Sequence, residues 1–456
     1  MIGARGYVGS RLTRRLVEEG HEVVAIGRHA DGLPSGPGIE ARTADAGDAA
    51  TMAQALAGCG RAYYLVHSLA GGAGFANRDR DLASSFVDAA TEAGVGRIVY
   101  LGGLGRGELS AHLASRQEVG AVLAGGAVPV IELRAAVVLG SGSMPFEMLR
   151  CLTERLPFMV CPRWIRTRIQ PIAEVDLLAH LVRAADDDVP ADIYEIGGPE
   201  VTTYREMIAA YARVRGLRRR RIIDIPLLTP GLSAHWVDLV TPIDRATSHA
   251  LIDSLGIEVA VADPDATARV FGVRSMGVDE ALRVALADQV EALPGQLFDL
   301  PPSGDGVYAM REQAPIAPDD VKAVREGLRA CGGSLSWYGL AWAWRIRILV
   351  GRLFGERLSL HRPDAVSLGS TVDWWTVVFL DADTLVLRTD RWFCGEAWLG
   401  YRIEPDGPRI HQVGALRTKG ILGVAYWRAV WPIHLVVFEL MAKRQATVKR
   451  RAACSA

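Results

Sequence analysis

The chain opens on Gly3-Ala4-Arg5-Gly6-Tyr7-Val8-Gly9, a glycine turn that runs straight into the helical stretch Ser10-Arg11-Leu12-Thr13-Arg14-Arg15-Leu16. Glycines at this spacing permit a tight turn, close approach of backbone to a pyrophosphate and close packing of helix on strand, and the helix amino end adds partial positive charge. One βα unit later stands the β-rich run His21-Glu22-Val23-Val24-Ala25-Ile26-Gly27-Arg28-His29. Further out, strand-like runs at His21 to Ile26, Ala62 to Val66, Arg97 to Leu101, Val128 to Leu133 and Asp192 to Ile196 alternate with helical ones at Ser10 to Glu19, Ala49 to Ala57, Arg80 to Ala93 and Ser110 to Ala124. That alternation predicts the α/β class, with a doubly wound parallel sheet covered by helices.

The end of the run at Arg28 is where an adenosine ribose is expected. An acidic residue there would bind a free 2′-hydroxyl, whereas a guanidinium suits a 2′-phosphate, so NADP is favoured and NAD is the alternative. A solvated arginine at a strand end is the plain competing reading. Only Met1 and Ile2 precede Gly3, although such a turn hangs from the end of a central first strand. The expectation is a truncated first strand, with the true start upstream, because a sheet without its centre would leave two halves with unpaired backbone.

At 456 residues the chain is long enough for two or three domains. Half of it is hydrophobic, 23% is charged and the net charge is -1, a balance that excludes both disorder and nucleic-acid binding by bulk charge. Six cysteines without a Cys-x-x-Cys pair make neither a disulfide framework nor a zinc site by spacing, and a metal is not expected. A reducing cytoplasm fits this usage, and the opening residues lack the apolar core of a signal peptide. Ile421 to Met441 comes nearest to a membrane span, but Arg428, His434 and Glu439 interrupt it and Pro432 would kink it. It reads as a buried helix, with peripheral membrane contact as the alternative. Tryptophan divides the chain: Trp164 and Trp236 precede residue 330 and nine follow it. Two different cores are implied. With the proline- and glycine-rich stretch between them, the division expected is a first domain over 1–292, a linker over 293–306, a second domain over 307–445 and a tail over 446–456.

The first domain resembles the atypical, NmrA-like group of short-chain dehydrogenase/reductases. Beyond the glycine turn and Arg28, the matching residues are Ala44-Asp45, Tyr63-Tyr64-Leu65-Val66-His67-Ser68, Val99-Tyr100-Leu101-Gly102-Gly103 and Leu133-Arg134-Ala135. Gln170-Pro171-Ile172 with Asp176, and Tyr194-Glu195-Ile196-Gly197-Gly198-Pro199, complete the set. The resemblance implies a Rossmann domain in which Gly3, Arg5, Gly6, Tyr7, Val8 and Gly9 hold the cofactor's phosphates. It places Asp45 and Ala46 beside the adenine, and His67 and Ser68 beside the nicotinamide ribose with Gly102 near it. Each also has a structural reading as a turn or strand-end residue.

Typical members of that group use a Tyr-x-x-x-Lys pair, in which the lysine lowers the tyrosine's pKa and holds the ribose. This chain has no lysine before Lys322. In the equivalent helix, Ser110-Ala111-His112-Leu113-Ala114-Ser115-Arg116, His112 and Arg116 stand at the two positions, and Gly102-Gly103 replaces the usual serine. Ordinary alcohol dehydrogenation is therefore disfavoured. His112, with an unperturbed pKa of about 6.5, is a candidate proton donor to a reduced carbonyl or enone; the plainer reading has His112 and Arg116 binding only ribose or phosphate. Phe146, Arg163 and Trp164 follow the sixth strand and are the candidate substrate wall.

The second domain's order of elements, with Ala317-Pro318 leading a helix, resembles the α+β helix-grip fold of START-like and polyketide-cyclase-like proteins. As a whole the chain looks like uncharacterised bacterial two-domain NAD(P)-binding proteins with a carboxyl-terminal domain of unknown function. Three functions stand open: an NADP(H)-dependent reductase of a small lipophilic carbonyl or quinone, a non-catalytic NAD(P) sensor, and a hydrophobic-ligand carrier working through the second domain.

Overall fold

A computed structural model describes residues 1–30, 32–66, 74–224, 255–298, 303–304, 307–329, 366–391, 395–404, 408–418 and 420–447. They form two compact units, one running essentially from Met1 to Asp288 and the other from Gln289 onward, with Glu154–Leu156 also counted to the second.

The first unit starts with α1 (Tyr7–Glu18), β1 (Val23–Gly27), β2 (Ile39–Thr43), α2 (Ala49–Leu56) and β3 (Arg61–Tyr64). Next come α3 (Phe75–Glu92), β4 (Arg97–Gly103), α4 (Ala111–Ala124), β5 (Val130–Ala135), β6 (Val138–Leu139) and α5 (Met144–Arg155). Three short strands, β7 (Phe158–Cys161), β8 (Arg168–Ile169) and β9 (Ile172–Ala173), precede α6 (Glu174–Arg183) and β10 (Ile193–Ile196). The unit continues through β11 (Thr202–Thr203), α7 (Tyr204–Val214), β12 (Arg221–Asp224) and α8 (Pro264–Phe271), and α9 (Val278–Gln296) leads out of it.

Its main strands are parallel, in the orders β2-β1 and β10-β5-β4-β3. Between the two sets lies Ile2, bridged in parallel to Ile26 on one side and Tyr64 on the other. Its N–H donates to Tyr63 O, its carbonyl accepts from Leu65, and Met1 O accepts from Ile26. The two residues ahead of the glycine turn thus occupy the sheet's central position and join its halves. The sheet is wound on both faces: Ile26, Tyr64, Ile98 and Tyr100 pack with Met52 and Phe86 from α2 and α3, while Ala25, Tyr63, Val99 and Ile131 pack with Leu12 and Leu177 from α1 and α6. Neighbours in one strand, such as Tyr63 and Tyr64, point to opposite faces and both are buried, the signature of a covered parallel sheet.

The second unit is an antiparallel sheet of seven strands in the order β13-β14-β19-β18-β17-β16-β15. The strands are β13 (Ser303–Gly304), β14 (Val307–Pro315), β15 (Thr371–Val372), β16 (Trp375–Leu380), β17 (Thr384–Arg391), β18 (Gly395–Glu404) and β19 (Arg409–Thr418). Helix α10 (Val321–Arg329) follows β14, and the long α11 (Gly420–Gln445) lies against β14 and β19. Trp375, Trp398 and Trp427 are packed into this unit's cores. Trp337, Trp342, Trp344 and Trp392, and in the first unit Trp236, fall outside the described residues. No helix among the described residues is long and apolar enough to cross a membrane. Helix α11 departs from the wholly buried helix expected of it, because Ile433, Leu435, Val436 and Leu440 are exposed.

Candidate cofactor and substrate site

The glycine turn follows Ile2 out of the sheet and caps α1. Gly3 has φ +82, and a Cβ there would lie 2.7 Å from Leu65 O; a Cβ on Gly9 would lie 2.2 Å from Gly3 O. Neither position admits a side chain without moving backbone. Gly6 is the N-cap of α1, with no side-chain cap and no acidic residue in the first turn. The helix amino end is therefore uncapped by side chains, as an anion site requires.

Tyr7 and Arg11 pin the turn to the far side of the site. The Tyr7 hydroxyl donates to the Glu174 carboxylate at the start of α6. Arg11 Nε pairs with Glu174 at 2.5 Å, its Nη2 donates to Ser141 O at 2.6 Å, and its guanidinium lies 4.2 Å from the Tyr7 ring centre. Burial pushes both the Tyr7 phenol and the Glu174 carboxyl up, and Arg11 opposes the shift in both.

Over the turn lies a cavity of about 360 Å³. It is lined by Gly3, Gly6, Tyr7, Val8 and Gly9 of the turn, by Gly102 and Gly103 at the end of β4, and by Trp164 and Tyr204. Helix α4, capped by Ser110 accepting from Leu113 N, contributes His112 and Arg116, which are four residues apart and so share a face. Arg116 Nη2 donates to Leu101 O at 2.5 Å, while its Nε is buried without a partner. The glycine at 102 has a steric cause: a Cβ there would meet the buried Glu132 Oε1 at 2.5 Å. Burial foremost, and the neighbouring Arg116, lower the His112 pKa to about 4, with Asp79 pulling the other way. His112 is therefore neutral at pH 7, whereas an unperturbed imidazole has a pKa of about 6.5.

The other expected residues are scattered. Arg5 and Arg28 are exposed, and Arg5 lies against Gly32 just after β1. Asp45 is exposed and accepts from Gly47 N in a turn, with Ala46 half-buried beside it. His67 and Ser68 fall outside the described residues. On the substrate side only Trp164 lines the cavity. Phe146 is fully buried, 6.1 Å from the Tyr211 ring, and Arg163 is exposed. Sequence reasoning missed Tyr204, whose ring meets Trp164 edge-on at 5.7 Å, and Leu152 and Met207 of the apolar wall. The Thr203-x-x-Glu206 capping box announces that α7 starts at Tyr204, but nothing in it says which way the ring faces. Among the described residues no group of three or more His, Cys, Asp or Glu is placed to hold a metal ion.

Residues 3–127 match a family model described as NAD(P)H-binding. Residues 304–441 match a family of unknown function, DUF2867. No curated protein matches the sequence. Among solved structures the chain is similar to a triphenylmethane reductase from Citrobacter sp., with 17% identity over 63% of this chain and 98% of that one and a TM-score of 0.51. It is also similar to a nucleoside-diphosphate-sugar epimerase from Staphylococcus aureus, with 15% identity over 62% and 98% and a TM-score of 0.50. For an NADPH-dependent quinone oxidoreductase from Escherichia coli the values are 20%, 62%, 97% and 0.49. The first two likenesses carry the fold, and the NAD(P)H-binding match coincides with the glycine turn and the first four main strands.

Proposed function

We propose that the chain is an NADP(H)-dependent oxidoreductase of the atypical short-chain type that reduces a small, uncharged, lipophilic carbonyl compound or quinone. The observation that carries this reading is a single cavity lined by the glycine turn, by His112 and Arg116, and by Trp164. The fit to a dinucleotide rests on the cradle between Gly3 and Gly9, which any Cβ would fill, and on the uncapped amino end of α1. Gly6, Tyr7 and Val8 of the turn would hold the pyrophosphate, and Arg116, with its buried unpartnered Nε, would take an oxygen of the nicotinamide ribose. Arg28 and Arg5, both exposed near the end of β1, favour the 2′-phosphate of NADP over the free hydroxyl of NAD. Asp45 and Ala46 would flank the adenine.

When bound, the dinucleotide supplies a hydride. This chain's residues supply orientation and polarity. A neutral His112 offers an N–H to the substrate oxygen and polarises it without bringing a full charge into an apolar space. Arg116 braces the end of β4 by holding the Leu101 carbonyl. The wall of Met148, Leu152, Met207 and Trp164 excludes water and selects apolar substrates. The second unit is proposed to be a helix-grip fold, a reading supported by its seven-stranded antiparallel sheet and the long α11 lying against β14 and β19.

The test is consumption of NADPH, followed at its nicotinamide absorbance, with naphthoquinones and aromatic enones set against charged carbonyls such as pyruvate. Turnover of the apolar set alone is expected. Turnover of the charged set, or of none, contradicts the assignment.

A further inference from the structure

We propose that the substrate of this cavity carries two oxygen acceptors, and that Tyr204, the first residue of α7, determines specificity by donating a hydrogen bond to the second of them. The inference rests on the reductase reading, in which His112 takes the first. An apolar pocket orients its ligand with a few placed polar groups, and a donor left unsatisfied there costs free energy. Two tyrosines line the cavity among the described residues, Tyr7 and Tyr204. The Tyr7 hydroxyl is committed to Glu174. Tyr204 is half-buried, and burial alone pushes its phenol up, with no neighbouring charge or hydrogen bond adding to the shift. Its hydroxyl therefore stays protonated near neutral pH and serves as a donor, not as a base. Other tyrosines of the unit show what such a group ordinarily does: Tyr63 and Tyr100 donate to the backbone carbonyls of Leu181 and Arg116 at 3.0 and 2.8 Å.

The Tyr204 ring is also held in place before any ligand arrives. Thr203 caps α7, its Oγ1 accepting from Glu206 N at 3.2 Å while the Glu206 carboxylate accepts from Thr203 N at 2.9 Å. That box fixes where the helix starts and so where Tyr204 leaves it. Trp164 then meets the ring edge-on, with the two planes at 87°, an arrangement that aromatic pairs favour. A donor restrained in this way loses little freedom when a ligand oxygen meets it.

Tyr204 and His112 stand on different elements, α7 and α4, and both line the cavity. Two neutral donors in an otherwise largely apolar wall suit one uncharged ligand with two acceptors, a quinone or an aromatic diketone. A ketone with a single oxygen would satisfy one donor and leave the other unpaired, which is how a polar group in an apolar site rejects a near-isostere.

The experiment is equilibrium dialysis of the full chain with oxidised NADP present, so that no reduction takes place. The probes are 2,3-dimethyl-1,4-naphthoquinone, with two oxygens, and 1-tetralone, with one. Tyr204→Phe, which removes only the hydroxyl, is expected to weaken quinone binding roughly tenfold and to leave tetralone binding within about twofold. The tetralone result doubles as the control that the variant's cavity is folded. Equal weakening of both probes, an unaffected quinone, or no binding of the quinone to the unaltered chain would each overturn the proposal. Dialysis reads no turnover, so a failure of NADPH consumption would remove the reductase reading without imitating any of these outcomes.

Discussion

His112 is half-buried, and its desolvation first, with the neighbouring Arg116 second, holds its ring neutral down to a pKa of about 4. An unfolded chain protonates the same ring near 6.5. Between those values the unfolded state binds more protons, so stability rises with pH across the window and is lost as pH falls through it. His112→Gln should flatten that slope, which urea denaturation at pH 5 and pH 7 measures; an unchanged slope would show that the ring titrates normally. At Gly9 the expectation is steric. Alanine there would set Cβ 2.2 Å from Gly3 O, whereas nothing lies within 4 Å of a Cβ on Gly60. Gly9→Ala should weaken nucleotide binding more than tenfold, and Gly60→Ala should leave it unchanged. These glycines were legible in the sequence because their spacing carries their backbone geometry. His112 and Arg116 were legible as a pair only through the resemblance, which sets them at the Tyr and Lys positions of the equivalent helix. The neutrality of His112 was not, since it comes from burial and a neighbour's charge. Gly102 was legible only as a missing serine; the side chain that forbids one, Glu132, lies on the adjacent strand.

Two elements depend on contacts that no local pattern records. Helix α1 is tied to α6 through Arg11, Tyr7 and Glu174, residues more than 160 positions apart at their extremes. Arg11→Met would leave the Glu174 carboxyl buried without its cation, at a cost of about 1–3 kcal/mol. Glu174 already has a raised pKa from burial. A carboxyl of this kind favours the folded state below its unfolded pKa and loses that advantage as pH rises through its folded value. The variant's deficit in thermal stability should therefore be larger at pH 8 than at pH 5. Helix α11 offers a sharper contrast. A Cβ on Gly414 of β19 would lie 2.1 Å from the Phe438 ring, so Gly414→Ala should cost about 1–3 kcal/mol by overpacking. Ile433→Ala, at an exposed position of the same helix, should stay within about 0.5 kcal/mol. Equal effects in thermal melts would mean that the helix does not pack as described. The sequence announced α11 as an apolar run; which of its faces the sheet covers was set by strands up to 130 residues earlier.

At the scale of the molecule, the alternation of strands and helices was enough to predict a parallel doubly wound sheet, whereas after residue 306 only the order of elements was legible and not the antiparallel pairing of its strands. The order of the parallel strands was not, because it depends on which strand flanks the glycine turn. Ile2 supplies that answer by bridging Ile26 and Tyr64, so the expected gap at the centre is spanned by backbone hydrogen bonds. The substrate end of the cavity was the least legible part. Its wall is assembled from α5, α7 and the turn at Trp164, segments that come together only when the first unit folds.

This fold is proposed to hold a phosphorylated nicotinamide dinucleotide against His112. The measurement that tests it most directly is a fluorescence titration of NADPH and NADH into the purified chain, repeated with Arg28→Ala. The account predicts saturable binding with NADPH preferred, and a preference that shrinks when Arg28 is removed. Binding of neither nucleotide would contradict it.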